Sequence, residues 1–190
     1  MIKRVCLSKT TGIVKRIQNF LENKSSGEQL YLIALVIFLT GETLTTTMFS
    51  VPGTVYTLCK MLTILFVAVK VLLFDQYQCR TLILCGIAVA VSVLIVLRAG
   101  YTEPLMWTLV VIGAKDVPLK KILQTYLIVS FSIVLLAFSA SLLNVIENLQ
   151  YESDTLRGVR NSFGILYTTD FASHIFSLML VFFYLMKEKL

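Results

Sequence analysis

Two pairs of polar side chains near the C-terminal end of the sequence have types and spacings suited to chemistry. Arg157 and Arg160 are three residues apart, so on one helical turn their guanidinium groups would face the same way and could hold a phosphate or pyrophosphate. Asp170 and His174 are four residues apart and share one helix face, where a carboxylate and an imidazole can orient a proton transfer. The sequence therefore indicates an anion-binding pair followed by an acid–base pair.

Each pair also has a purely structural interpretation. Glu152 and Asp154 could pair with the two arginines in a solvated loop. Thr169 or Asp170 could cap the amino end of a helix, with His174 hydrogen-bonded to another helix. A single carboxylate–imidazole pair offers too few ligands for a metal ion, so no metal is expected. Spacing alone leaves both interpretations open.

Four further ionisable residues lie within or beside apolar segments, where a charge costs about 2.5–3.5 kcal/mol at the bilayer centre. Glu42 could line a cavity or pair with Lys60, which would lie at a comparable depth across a helical hairpin. Glu103 precedes Pro104 and could either complement a helix terminus or contact a substrate. Lys70, near the end of its apolar segment, is expected to extend toward the lipid headgroups.

The segments that must position these residues are long and apolar. Apolar residues make up 57% of the sequence and charged residues 15%, and the mean hydropathy is +0.82. Apolar runs of about twenty residues match a hydrocarbon core of about 30 Å. The sequence predicts an all-α membrane protein, a bundle of about six transmembrane helices within residues 29–190. The predicted spans are 30–48, 54–74, 81–97, 105–114, 122–143 and 170–183, with a long connection at about 144–169 and a fourth span of marginal length.

The basic residues predict how this bundle is oriented. Residues 1–28 form a basic segment, interpreted as either an amphipathic interfacial helix or a solvated tail. A cytoplasmic amino terminus places most loop Lys and Arg residues on the cytoplasmic side, so both termini are expected there in a multi-pass protein of the cytoplasmic membrane. The cytoplasmic residues would be Lys3, Arg4, Lys9, Lys15, Arg16, Lys24, Arg80, Lys115, Lys120, Lys121, Lys187 and Lys189, against Arg98, Arg157 and Arg160 outside.

Other classes of protein are disfavoured by the same residues. The net charge of +6 arises at the ends of apolar runs rather than in a basic stripe with interleaved aromatic residues, so no nucleic-acid partner is expected. The sequence contains no G-x-S-x-G, P-loop, H-E-x-x-H or dinucleotide-binding motif. Soluble-enzyme chemistry and a bound cofactor are therefore not expected.

One segment resembles a known family. Residues 160–175, RNSFGILYTTDFASHI, resemble a signature of Wzy-type polymerases of O-antigen, capsular and exopolysaccharide repeat units. Residues 111–123, VIGAKDVPLKKIL, are similar to a short inner loop of the same proteins, and the resemblance covers roughly residues 100–185. Because such polymerases are longer and have further spans, the resemblance implies that this sequence is either their amino-terminal half or a shortened relative without the whole active site.

The resemblance implies a membrane transferase that joins undecaprenyl-pyrophosphate-linked oligosaccharide units on the outer face of the cytoplasmic membrane. Arg157 and Arg160 would stabilise the pyrophosphate leaving group, and Asp170 and His174 would deprotonate the accepting hydroxyl. The implied partners are the lipid-linked oligosaccharide, membrane lipids and other polysaccharide-assembly membrane proteins. The alternatives are a non-catalytic scaffold or partner subunit, and a small transporter that uses Glu42 and other intramembrane charges.

Overall fold

The computed structural model describes residues 24–151 and 158–187, and these ranges are mostly α-helical. The interfacial helix predicted within residues 1–28, apart from residues 24–28, and Arg157 lie outside the described residues. The described ranges contain six helices and a two-stranded antiparallel ribbon. The helices are α1 Lys24–Thr45, α2 Gly53–Leu73, α3 Cys79–Ala99, α4 Glu103–Gly113, α5 Leu119–Leu142 and α6 Thr168–Lys187, and the strands are β1 Gln150–Tyr151 and β2 Arg160–Asn161.

Five of the helices are long and apolar enough to cross a membrane. Their candidate spans contain 20 to 24 residues, and a 20-residue helix is about 30 Å long. The sixth, α4, has 11 residues and is shorter than a full span. The predicted all-α, polytopic membrane fold is therefore confirmed, and the chain is a multi-pass membrane protein.

Glycine and proline residues mark the helix boundaries. Gly53 begins α2 directly after Pro52, and Pro104 lies in the first turn of α4, where a missing N–H costs no hydrogen bond. Gly100 ends α3 with a φ of +73°, and its N–H donates to the Val96 carbonyl. Pro118 immediately precedes α5. These residues explain why the observed boundaries fall close to the predicted ones.

The described chain forms two compact units. The first contains residues 24–34 and 64–117, and thus the first half of α1, the second half of α2, and the whole of α3 and α4. The second contains residues 35–63 and 118–187, and thus the remaining halves of α1 and α2 together with α5, the ribbon and α6.

A buried ion pair stabilises the first unit where α2 ends. Lys70 Nζ donates to both carboxylate oxygens of Asp75 at 2.9 Å and to the Lys115 carbonyl at 2.6 Å. The Lys70 and Asp75 side chains are 2% and 3% exposed. The Tyr77 hydroxyl lies 3.2 Å from Asp75 and donates to the Ile112 carbonyl at 2.9 Å. We call Lys70, Asp75, Tyr77 and the carbonyls of Ile112 and Lys115 the lysine clasp.

The lysine clasp corrects the expectation for Lys70. A lysine that extends to the headgroups would expose its ammonium group, whereas all three N–H bonds of this one have acceptors inside the unit. The Asp75 carboxylate makes burial tolerable because it supplies the opposite charge. Burial raises the pKa of the Tyr77 phenol, and the neighbouring Asp75 carboxylate raises it further, so Tyr77 remains a protonated donor well into alkaline conditions.

The short helix α4 returns the chain to the end of the unit at which α3 begins. Its 11 residues are about 17 Å long. Tyr77, just before α3, bonds the Ile112 carbonyl near the end of α4, and the Lys115 ammonium group donates to the Gln76 carbonyl. The hydroxyls of Ser92 in α3 and Thr108 in α4 are 2.8 Å apart. The predicted fourth span is thus short, but it still leads the chain back across this unit.

Candidate functional site

The long loop, residues 143–167, is bound to the segment that follows α1. The N–H of Leu166 donates to the Thr46 carbonyl at 2.8 Å, and the N–H of Met48 donates to the Gly164 carbonyl at 2.9 Å. Between these bonds Thr47 pairs antiparallel with Ile165, which is fully buried. The loop therefore lies at the same end of the second unit as the α1–α2 turn, as the predicted order of spans requires.

The two strands form a ribbon within the long loop. Tyr151 is paired with Arg160 and Gln150 with Asn161. The Asn148 side-chain oxygen accepts from the Phe163 N–H at 2.9 Å and stabilises the return of the chain after β2. The helical turn on which Arg157 and Arg160 would face the same way is not formed at Arg160, which lies exposed on strand β2.

A tight turn after β2 seats the long loop against α5. Phe163 and Gly164 both have positive φ, +51° and +79°. A Cβ atom on Gly164 would lie 2.6 Å from the Ala137 carbonyl oxygen, so the backbone approaches α5 closely. The Phe163 ring is 5.6 Å from Phe138 of α5 and 5.4 Å from Phe171 of α6, measured between ring centroids. Glycine at this turn and an aromatic cluster thus fix where α6 begins.

Gly164→Ala is expected to destabilise the protein by about 2–4 kcal/mol, because it adds a backbone clash to an unfavourable positive φ. Gly158→Ala is the matched control: Gly158 also has a positive φ, +68°, but a Cβ atom there meets no atom of the described residues within 4 Å. The measurement is the free energy of unfolding in mixed detergent micelles. Equal losses of unfolding free energy in the two variants would show that the close approach of Gly164 to α5 does not account for the effect of Gly164→Ala.

His174, in the second turn of α6, is oriented by Thr46. Its Nε2 atom lies 3.0 Å from the Thr46 hydroxyl oxygen, and that hydroxyl donates its hydrogen to the Thr43 carbonyl at 2.8 Å. The hydroxyl has only one hydrogen, so when that hydrogen is donated to the Thr43 carbonyl, Nε2 is the donor in the contact with Thr46. In the neutral ring the lone pair then resides on Nδ1, which can act as a base.

Asp170 lies one turn before His174, in the first turn of α6. A carboxylate there complements the positive end of the helix dipole. Within the described ranges no hydrogen bond joins Asp170 to His174. Asp170 and His174 thus lie one turn apart on α6, as their spacing predicts. His174 also makes the contact that the structural interpretation predicts, because it is hydrogen-bonded to Thr46 at the end of another helix.

Glu42 and Lys60 line the same small cavity in the second unit. The cavity has a volume of about 10 Å³, room for about one water molecule, and Tyr56 and Cys59 contribute to its wall. A Cβ atom on Gly41 would lie 3.1 Å from that of Cys59, so α1 and α2 are closely packed at this depth. The predicted proximity of Glu42 and Lys60 is borne out.

Glu103 belongs to the first unit. It begins α4 next to Pro104, the position at which a carboxylate complements a helix amino terminus. Arg157, the remaining residue predicted to bind substrate, lies outside the described residues.

Sequence reasoning missed three side chains of this region. The Thr46 hydroxyl orients His174, and Tyr151 and Tyr167 lie together with ring centroids 6.3 Å apart. The run of threonines at 45–47 indicates only a polar helix end, because a hydrogen bond to a residue 128 positions away leaves no mark on local spacing. Tyr151 lies in the ribbon and Tyr167 follows it, so the proximity of the two rings depends on how the long loop closes.

No protein-family model, curated protein or solved structure matches this chain. The fold and the bound loop define its class, a multi-pass helical membrane protein with a structured loop between its last two described helices.

Proposed function

We propose that the chain is a polysaccharide polymerase-like transferase, or the amino-terminal half of one, which joins undecaprenyl-pyrophosphate-linked oligosaccharide repeat units. The supporting observation is that Arg160, Asp170 and His174 all belong to one end of the second unit, where the long loop is paired with residues 46–48. A cation can stabilise a departing pyrophosphate, and a carboxylate and an imidazole can accept and relay a proton.

In the proposed reaction the accepting sugar hydroxyl attacks the anomeric carbon of the second, lipid-linked chain. A carbon–oxygen bond forms to the acceptor while the bond from the anomeric carbon to the pyrophosphate oxygen breaks, and the lipid pyrophosphate leaves with the electron pair. His174 Nδ1 takes the hydroxyl proton, and Asp170 stabilises the imidazolium that results. Arg160, with Arg157 as its predicted partner, balances the charge that develops on the leaving oxygen.

The proposed location is the outer face of the cytoplasmic membrane, with both termini in the cytoplasm. The support is the distribution of basic residues: the loops on the side of the α2–α3 connection contain Arg80, Lys115, Lys120 and Lys121. With the terminal segments this side has twelve lysines and arginines, against Arg98, Arg157 and Arg160 on the other, so the end that contains the α1–α2 turn and the long loop is assigned to the outside.

The test is polymerisation by the purified chain in liposomes supplied with a pyrophosphate-linked oligosaccharide repeat unit, with products sized on gels. Arg160→Gln is expected to lower the transfer rate by about 10²–10³-fold, as for loss of one group that stabilises developing charge. Arg160→Lys should retain part of the activity, since lysine keeps the positive charge but lacks the planar guanidinium group that donates two parallel hydrogen bonds. Arg98→Gln, a change at the end of α3, is the matched control and should leave the rate unchanged.

Two outcomes would contradict the proposal. Equal rates for the Arg160→Gln variant and the unaltered protein would remove Arg160 from the reaction. Absence of polymer with the unaltered chain would favour the alternative from another class, a non-catalytic partner subunit of a polysaccharide-assembly complex.

A further inference from the structure

Two exposed tyrosines and one exposed arginine lie on or beside the ribbon of the long loop. Tyr151 and Arg160 are directly opposite each other in the antiparallel register, so their side chains project from the same face of the ribbon. The Tyr167 ring lies 6.3 Å from that of Tyr151 at an angle of 32°. We call Tyr151, Arg160 and Tyr167 the tyrosine platform.

Both tyrosines of the tyrosine platform are exposed, although the hydroxyl of one of them donates to a backbone carbonyl. The Tyr151 hydroxyl donates to the Leu166 carbonyl at 2.6 Å, which fixes the ring to the start of α6. Tyr151 is nevertheless 36% exposed, and Tyr167 is 58% exposed. A tyrosine that only anchors a protein at a membrane interface directs its hydroxyl to water or headgroups. The Tyr151 hydroxyl instead donates to a backbone carbonyl of the protein.

The chemistry of the tyrosine platform matches a sugar bearing a negative charge. The face of an aromatic ring is electron-rich, and the C–H bonds on one face of a pyranose are weakly positive, so the two surfaces pack together. A guanidinium group beside the rings adds a bidentate donor for phosphate or carboxylate. Binding of a sugar to these rings would cost little side-chain entropy, because the Tyr151 ring is already held by its hydrogen bond to the Leu166 carbonyl.

We propose that the tyrosine platform binds the pyranose residue attached to the pyrophosphate of the lipid-linked substrate, with Tyr151 and Tyr167 against the sugar and Arg160 on the phosphate. This assignment rests on the proposed function and specifies its substrate contact. It makes Tyr151 and Tyr167 specificity-determining residues that select a sugar next to a phosphate over a phosphate alone.

The experiment measures binding by saturation-transfer NMR to the full chain in nanodiscs, using two probes. One probe is farnesyl-pyrophosphoryl N-acetylglucosamine, and the other is farnesyl pyrophosphate, which has the same lipid and phosphates but no sugar. Tyr167→Ala is expected to weaken binding of the sugar-bearing probe about five- to tenfold and to leave farnesyl pyrophosphate unaffected. Arg160→Gln should weaken both probes.

The controls separate packing on the sugar from structural effects. Tyr167→Phe should bind like the unaltered protein, because it keeps the ring. Tyr184→Ala, which removes a 44% exposed tyrosine near the other end of α6, should change nothing. Unchanged affinity of the Tyr167→Ala variant for the sugar-bearing probe, or an equal loss for both probes, would overturn the proposal.

The outcomes also distinguish this inference from the proposed function. Selective loss of the sugar-bearing probe in a chain that forms no polymer would support the tyrosine platform and reject the polymerase. Polymer formation that depends on Arg160 but is indifferent to Tyr167→Ala would support the polymerase and reject the tyrosine platform.

Discussion

His174→Gln is expected to slow sugar transfer by about 10²–10⁴-fold while leaving the fold intact. The amide nitrogen of glutamine occupies roughly the place of Nε2, so the variant can still donate to the Thr46 hydroxyl. It has no counterpart of Nδ1 and therefore no base for the accepting hydroxyl. The measurement is the single-turnover rate of polymer extension in liposomes, together with the unfolding midpoint of each variant.

Thr46→Val separates the orientation of the His174 ring from its role in proton transfer. It removes the hydroxyl that receives the Nε2 hydrogen, so Nε2–H loses its partner and the two tautomers become closer in population. We expect a smaller loss of rate than for His174→Gln, with a shifted pH profile. A His174→Gln variant that extends polymer at the original rate would exclude His174 as the base and leave it a helix-packing residue.

Lys70→Met is expected to cost about 3–5 kcal/mol of folding stability, because it leaves the buried Asp75 carboxylate without its counter-charge. It also removes the donor to the Lys115 carbonyl and so weakens the contact that holds the end of α4. Equilibrium unfolding in mixed detergent micelles, followed by circular dichroism, measures the loss. Lys187→Met, which changes an exposed lysine at the end of α6, is the control. Its free energy of unfolding should differ from that of the unaltered protein by less than about 0.5 kcal/mol.

The double variant Lys70→Met with Asp75→Leu tests the cause of that loss. A buried ion pair replaced by apolar side chains is often neutral, whereas a broken pair is costly. Most of the stability lost in Lys70→Met should therefore return in the double variant. A double variant as unstable as the single one would show that the hydrogen bond to the Lys115 carbonyl, rather than the unpaired charge, dominates the lysine clasp.

Much of the fold could be predicted from the sequence because apolar run length and helix length are governed by the same bilayer thickness. Pro52, Gly53, Gly100, Pro104 and Pro118 lie where the runs stop, so the boundaries were also predictable. The return of the chain through α4 could not be predicted. It rests on hydrogen bonds from side chains to backbone carbonyls up to 45 residues away, and such bonds follow no local period.

The candidate site was predictable only where it lies on a regular helix. Asp170 and His174 share a face of α6 because their spacing is that of one helical turn. The spacing of Arg157 and Arg160 does not predict the strand pairing of Arg160 with Tyr151, because closure of the long loop brings together two short segments that are distant in sequence. Neither the partner of His174 nor the proximity of Tyr151 and Tyr167 follows from composition or periodicity.

The short length of α4 also has a consequence for the surrounding lipid. Trp107 and Val111, one turn apart on α4, are exposed side chains. A helix of about 17 Å cannot match acyl chains that fill about 30 Å, so the tails beside it must shorten, tilt or leave room for headgroups. We therefore expect the bilayer next to this helix to be thinner than elsewhere.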